Sequence, residues 1–302
     1  MHHRLVAPLL VLVACFTWAT SLPAQTAVQA AVADAARYLR EFTTDVAGVV
    51  LEEKYLQQAQ ARVVSARELV SDLAIMADAR FGWIEYRDVF AVDGKPIRDR
   101  QDRVVELFAS PSPDALAQAQ RIVQEGARHN LSPVGVQFAR TLNLPMAALM
   151  FLRGENQSRS RFQRVSLDSI GGHRALIVGF EETAMPRLIG SGDNAPARGR
   201  VWIEQDTGRI LRTTLEINSV RGTTNIQAII EVEYGLFPEV GLWLPRQMEE
   251  SYNFTDGMNR QIANIFGRAI YTNVRKFRVN IEENVVDSAE SPAPTTPATT
   301  AP

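Results

Sequence analysis

Apolar residues recur along this chain with two different periods, and the change between them marks its architecture. Residues 28–42 carry Val28, Val32, Ala35, Ala36, Leu39 and Phe42 at helical spacing, which predicts an amphipathic helix. From residue 48 the period falls to two. Stretch 48–58 alternates through Val49, Leu51, Glu53 and Tyr55. Stretch 61–76 sets Val63, Leu69, Leu73 and Ile75 on one side, and 83–97 groups Ile84, Tyr86, Phe90 and Val92 before an Asp93-Gly94 turn. A helical insert follows at 98–145. Its parts are a short helix at 100–109, a second at 114–127 and a third at 134–142. The second has Ser112 as N-cap, Pro113 at its first position, Asp114 in its first turn, and a stripe of Leu116, Ala119, Ile122 and Val123. Beyond about residue 147 strands predominate, at 147–153, 161–168, 173–182, 200–205, 209–218, 224–235, 242–254 and 265–281. A long Gly- and Pro-bearing loop at 183–199 interrupts them, of the kind that is either a functional lid or disordered.

Short connections between consecutive strands imply antiparallel pairing, because parallel strands need long crossovers. The fold class is therefore α+β: one large, curved antiparallel sheet with a few helices packed on its concave side. Candidate inward faces lie on two neighbouring strands. In 209–217, Leu211, Thr213, Leu215 and Ile217 share a side; in 226–234, Ile226, Ala228, Ile230, Val232 and Tyr234 do.

The two ends of the chain lie outside this pattern. Residues 1–27 read as a signal peptide, with Arg4, an apolar run from Leu5 to Trp18, and small residues at Ala24, Ala27 and Ala30 where a peptidase can cut. Leu12-Val13-Ala14-Cys15 also resembles a lipobox, so anchoring through Cys15 is the alternative to plain export into the periplasm or medium. Residues 285–302, rich in Pro, Ala, Thr and Ser, read as a disordered tail. Between the ends, residues 28–284 form one domain. A net charge of −2 gives no footprint for nucleic acid.

Catalytic patterns are scarce. Asp206-Thr207-Gly208 matches the triplet of aspartic proteases, but no second Asp-Thr/Ser-Gly exists to complete a carboxylate pair, and the flanking strands read it as a turn. His129 and His173, the two histidines past the leader, lack metal-ligand spacing, and no phosphate-binding glycine loop occurs. The sequence thus predicts no catalytic residue, no metal and no cofactor. Glu231 and Glu233 sit about 7 Å apart on one strand face, within the range of glycosidase carboxylates, but a solvated outer face accounts for both.

One resemblance adds to this. "GRVWIEQDTGRILRTTLEI" (199–217), "IIEVEYGLFPEVGLWLPRQMEESY" (229–252) and "GRAIYTNVRKFRV" (267–279) resemble the outer-membrane lipoprotein-sorting (LolA-like) superfamily. There a strand ending in Trp-Ile-Asp meets a Thr-Gly turn, and Trp-x-Pro begins a later strand; Trp202, Gly208, Trp243 and Pro245 occupy the matching positions. The resemblance implies an unclosed half-barrel whose concave side holds acyl chains. It makes Leu211, Leu215, Ile217, Ile230, Val232 and Tyr234 the expected ligand-binding residues, and a lipid or acylated lipoprotein the expected partner. The alternative is a structural or interaction module of the envelope, with helices 28–42 and 114–127 filling the concavity as ordinary core.

Overall fold

A computed structural model describes residues 22–109, 114–133, 140, 143–189 and 194–277. The leader up to residue 21, the Ser112-Pro113 helix start, nearly all of the expected helix at 134–142 and the tail past 277 lie outside them. Eleven strands form one antiparallel sheet, in the order β4-β3-β2-β1-β11-β10-β9-β8-β7-β6-β5. They are β1 (Val49–Gln60), β2 (Val64–Asp78), β3 (Gly82–Val92), β4 (Lys95–Pro96), β5 (Ser160–Ile170), β6 (His173–Glu182), β7 (Ala197–Glu204), β8 (Ile210–Arg221), β9 (Thr224–Phe237), β10 (Leu242–Thr255) and β11 (Gln261–Lys276). The sheet is two meanders, β1–β4 and β5–β11, joined where the first strand pairs with the last. It does not close: β4 and β5 remain its two edges.

This order has a topological consequence. Residues 97–159 connect β4 to β5, the two edges of the open sheet. The chain between them must cross the sheet, and what it crosses becomes covered. Helix α1 (Leu22–Val46) crosses as well, touching β5 at one edge and β2 near the other, with β7 and β10 between. Val28, Val32, Ala35, Leu39, Phe42 and Val46 of α1 are buried against the sheet's apolar face, hereafter the inner face.

Helices α2 (Arg103–Ala109) and α3 (Ala115–Ala127) do not fill the concavity. Val104, Val105, Ala119 and Ile122 pack with Val50, Ala74, Met76 and Tyr86, which point to the outer face of β1–β3. Of the stripe expected on α3, Ala119 and Ile122 are buried while Leu116 is exposed. Three laddered outer-face carboxylates, Glu52, Asp72 and Asp88, bind this insert through Arg98, Arg100 and Arg103. Gly126 lets α3 lie close on β3: a Cβ there would sit 3.1 Å from Val89 Cγ2 and 3.3 Å from the Arg87 carbonyl.

Three departures from strict alternation have local causes. β3 bulges at the Val70/Ser71 register shift, so Val92 packs on the inner core while Tyr86 and Ile84 face outward. Val63 falls in the β1–β2 turn and is exposed. Residues 147–153, read as a strand, instead form a 3-10 turn over Ala147–Leu152 that buries Ala148, Leu149, Phe151 and Leu152 together. An unbroken apolar run carries no period with which to tell the two apart. The described residues of the loop after β6, 183–189 and 194–196, are tied to the body of the protein. Glu182 accepts the Leu188 amide at 2.7 Å, Arg187 donates to three carbonyls, and Leu188, Ile189 and Ala195 join the core.

Candidate functional site

The expected ligand-binding residues separate into two groups. Leu215, Ile217, Ile230, Val232 and Tyr234 lie on the inner face, each 7% exposed or less. Leu211 does not join them. The register shifts between Trp202 and Ile203, so two residues of β8 oppose one of β7, and Leu211 turns to a small outer cluster with Ala175, Ile177 and Trp202. Ile210 takes the inner position instead.

What covers those five residues is α1, the 3-10 turn and the chain just before it. Apolar packing holds this cover, and polar contacts add to it. Tyr234 donates its hydroxyl to the Pro145 carbonyl at 2.8 Å, the Met146 amide donates to Glu85 Oε1 at 3.3 Å, and Arg87 Nη2 donates to the Asn143 carbonyl at 2.7 Å. Further along, the Leu131 amide donates to Gln57 Oε1 at 2.8 Å.

These contacts belong to a buried charged network that alternation places on the inner face of β1, β2, β3 and β10. Glu53 is fully buried; it accepts Arg87 Nε at 2.5 Å, Arg87 Nη2 at 2.8 Å and the Ser71 hydroxyl at 2.7 Å. Glu250, 1% exposed, accepts Arg140 Nη1 at 2.6 Å, Tyr252 at 3.0 Å and the Tyr55 hydroxyl. Arg140 also donates to Tyr55 at 2.9 Å and to Gln57. Burial, then the neighbouring carboxylates, pushes Tyr55, Tyr252 and Tyr271 well above the usual phenol range. Burial raises the Glu85 carboxyl to about 8, against the Met146 amide and Arg87, which pull it down, and with Glu53, which adds to the rise. Glu85 is therefore neutral at pH 7. A cleft of about 420 Å³ opens beside this network, bordered by Glu85, Arg87, Arg140, Asn143, Val123 and Leu144.

The network was missed as a site because no motif announces it. One signal was present: Glu53 occupies an apolar-face position in the alternation of β1, and of the adjacent Glu249 and Glu250 one must point inward.

The protease-like triplet is a turn. Gly208 adopts φ +75°, and its amide donates to the Glu204 carbonyl at 3.0 Å. Asp206 is largely exposed and faces Arg174 at 3.3 Å. Thr207 donates to the Glu204 carboxylate, which also meets His173 Nδ1 at 2.5 Å. Burial tends to raise that carboxyl, but the Thr207 and His173 hydrogen bonds win and hold it below the ordinary range. Asp206→Asn is expected to change unfolding free energy by no more than about 0.5 kcal/mol. Gly208→Val should cost about 3 kcal/mol or more, since positive φ strains a β-branched residue. A Cβ there also sits 2.5 Å from the Asp34 carbonyl of α1. Urea denaturation of both variants checks this. Glu231 and Glu233 are half-exposed and share Arg212, at 3.6 and 2.5 Å, as a solvated outer-face group does.

No protein-family model matches the chain, and no curated protein does. It is similar to three solved structures. A DUF1329 family protein from Desulfovibrio piger has a TM-score of 0.37 at 13% identity, over 82% of this chain and 92% of that one. A domain described as an outer membrane lipoprotein-sorting protein, from Vibrio parahaemolyticus, gives 0.33 at 12% identity, over 84% and 96%. A LolA superfamily protein from Nitrosomonas europaea gives 0.28 at 10% identity, over 84% and 93%. Among the described residues, no helix is long and apolar enough to cross a membrane.

Proposed function

We propose that the chain is an exported, non-catalytic protein of the bacterial cell envelope that binds a lipid or an acylated protein on the inner face of its sheet. The observation that carries this reading is the nature of the cover. Leu215, Ile217, Ile230 and Val232 face α1 and a crossing segment, not a second sheet, and that segment is fastened by Tyr234, Glu85 and Arg87. Hydrogen bonds of this kind contribute little net free energy each, because water replaces them on opening. An acyl chain that replaces the cover's apolar contacts offsets the cost of displacing it. The leader pattern of residues 1–27 and the strand motifs of 199–252 support export and acyl binding respectively.

A fluorescent fatty-acid probe tests the reading. Binding is expected at micromolar Kd or tighter, about −8 kcal/mol. Tyr234→Phe removes the tether to Pro145, and binding should tighten about fivefold as the covered state loses roughly 1 kcal/mol. Val232→Glu should abolish binding by setting an unpaired carboxylate against the chain. The second reading, an envelope module with a filled core, is favoured by the near-zero exposure of those same residues. It predicts no probe binding by the wild type or by Tyr234→Phe, and that pair of results would overturn the proposal.

A further inference from the structure

The cleft beside the buried network holds two donors without a hydrogen-bond partner among the described residues. Arg140 and Asn143 are 6% and 4% exposed, yet Arg140 Nε and Asn143 Nδ2 have no hydrogen-bond partner among the described residues. The remaining hydrogen bonds of Arg140 go to Glu250, Tyr55 and Gln57, and Asn143 gives only its backbone carbonyl to Arg87. Buried donors left unmade are costly, so a matching acceptor from outside is a net gain. Both residues border the cleft of about 420 Å³, whose other walls include Val123 of α3 and Leu144.

The charge balance selects the kind of acceptor. Arg87 is matched by Glu53 and Arg140 by Glu250, one for one. Burial keeps Glu85 neutral at pH 7. A carboxylate or phosphate entering the cleft would be a buried charge without a counter-charge. The cleft also borders the last turn of α3, the end of a helix that carries partial negative charge. Among the described residues that border the cleft, a cation finds no charged carboxylate. We propose that this cleft binds a neutral carbonyl group, an amide or ester, carried on a small apolar body. The carbonyl oxygen accepts from Arg140 Nε–H and Asn143 Nδ2–H, and the body lies against Val123 and Leu144. The site is separate from the inner-face residues of β8 and β9 and does not rest on their reading.

Octanamide, octanoate and octylammonium, titrated into the full chain at pH 7, test this by side-chain NMR of the Arg140 Nε–H and Asn143 Nδ2 signals. Octanamide is expected to shift both signals saturably, and octanoate and octylammonium to bind at least about tenfold more weakly. Asn143→Leu removes the donors but keeps the carbonyl that Arg87 uses. It should leave the urea midpoint unchanged and weaken octanamide at least about tenfold. Methyl octanoate in place of octanamide separates ester from amide; binding by either supports the site. Absence of any shift, tighter binding of octanoate than octanamide, or undiminished binding by Asn143→Leu would overturn it. So would competition between octanamide and the fatty-acid probe, which would place both ligands against β8 and β9.

Discussion

Arg140→Met is expected to lower the unfolding free energy by about 3–5 kcal/mol, the cost of breaking a buried ion pair from one side. Arg140 donates to Glu250 at 2.6 Å, and both side chains are at most 1% exposed. With the guanidinium gone, Glu250 keeps only the hydroxyls of Tyr55 and Tyr252 around a charge that has left water. The stacking of Arg140 over the Tyr55 ring, at 5.7 Å, is lost too. The pair itself is a different quantity from the penalty of orphaning one member. Replacing both with apolar side chains of similar volume removes the desolvation cost on each side. The double variant Arg140→Met/Glu250→Met should therefore recover most of the loss and come within about 1–2 kcal/mol of the wild type. Urea denaturation of the wild type, both single variants and the double variant completes the cycle. A cost below about 1 kcal/mol for Arg140→Met, typical of exposed pairs, would show that water reaches this pair in solution.

Much of the fold was legible in the sequence because period-two alternation records which face of a strand is buried. Ten of the eleven strands exceed eight residues or reach it, and the turns between them carry residues at positive φ such as Asp93, Gly94 and Gly208. Alternation fails where a bulge inserts one residue. Leu211 was assigned to the inner face by counting in twos from Ile217, and the Trp202/Ile203 register shift moves it to the other side. Nothing in the residue types there signals the shift. The insert was legible as helical but not in its placement. α2 and α3 lie on the outer face while Ala147–Leu152 packs on the inner one, within a connection between the two edge strands β4 and β5. Strand order is a property of long-range pairing that local patterns do not contain.

The candidate site was the least legible part, for a related reason. Glu53, Glu85, Arg87, Arg140 and Glu250 come from four separate stretches of chain, and each is an ordinary charged residue in its own stretch. The inward parity of Glu53 was visible; the partner that makes it tolerable, Arg87, is 34 residues away across two strand pairings. The alternation of β8 and β9 predicts an apolar concavity. The structure adds a polar half to it, on β1, β2, β3 and β10, beside the apolar half on β8 and β9.

Glu85→Gln tests that polar half through pH. Burial, which disfavours the charged form, raises the Glu85 carboxyl from its ordinary value of 4.5 to about 8 in the folded protein. A carboxyl whose folded pKa is raised binds its proton more tightly folded than unfolded. Between about pH 4.5 and 8 the unfolded chain therefore holds fewer protons at this site, and the wild type loses stability as pH rises. Below that window Glu85 is protonated in both states and contributes nothing. Above it the full penalty applies, about 5 kcal/mol from the size of the shift. Glutamine has no titration and retains an Oε1 for the Met146 amide, which Glu85 accepts at 3.3 Å. The stability of Glu85→Gln relative to the wild type should accordingly be near constant up to about pH 4.5. It should then climb through the window and level off above pH 8, with the variant more stable by several kcal/mol. Urea denaturation of both proteins at pH 4, 6 and 9 measures that difference. All other titrating groups are common to the two chains, so they cancel in it unless they couple to Glu85. Arg87 does, and it stays charged throughout the range. A difference that is the same at all three pH values would mean that Glu85 is hydrated when folded, and that the cleft beside it is open to bulk water.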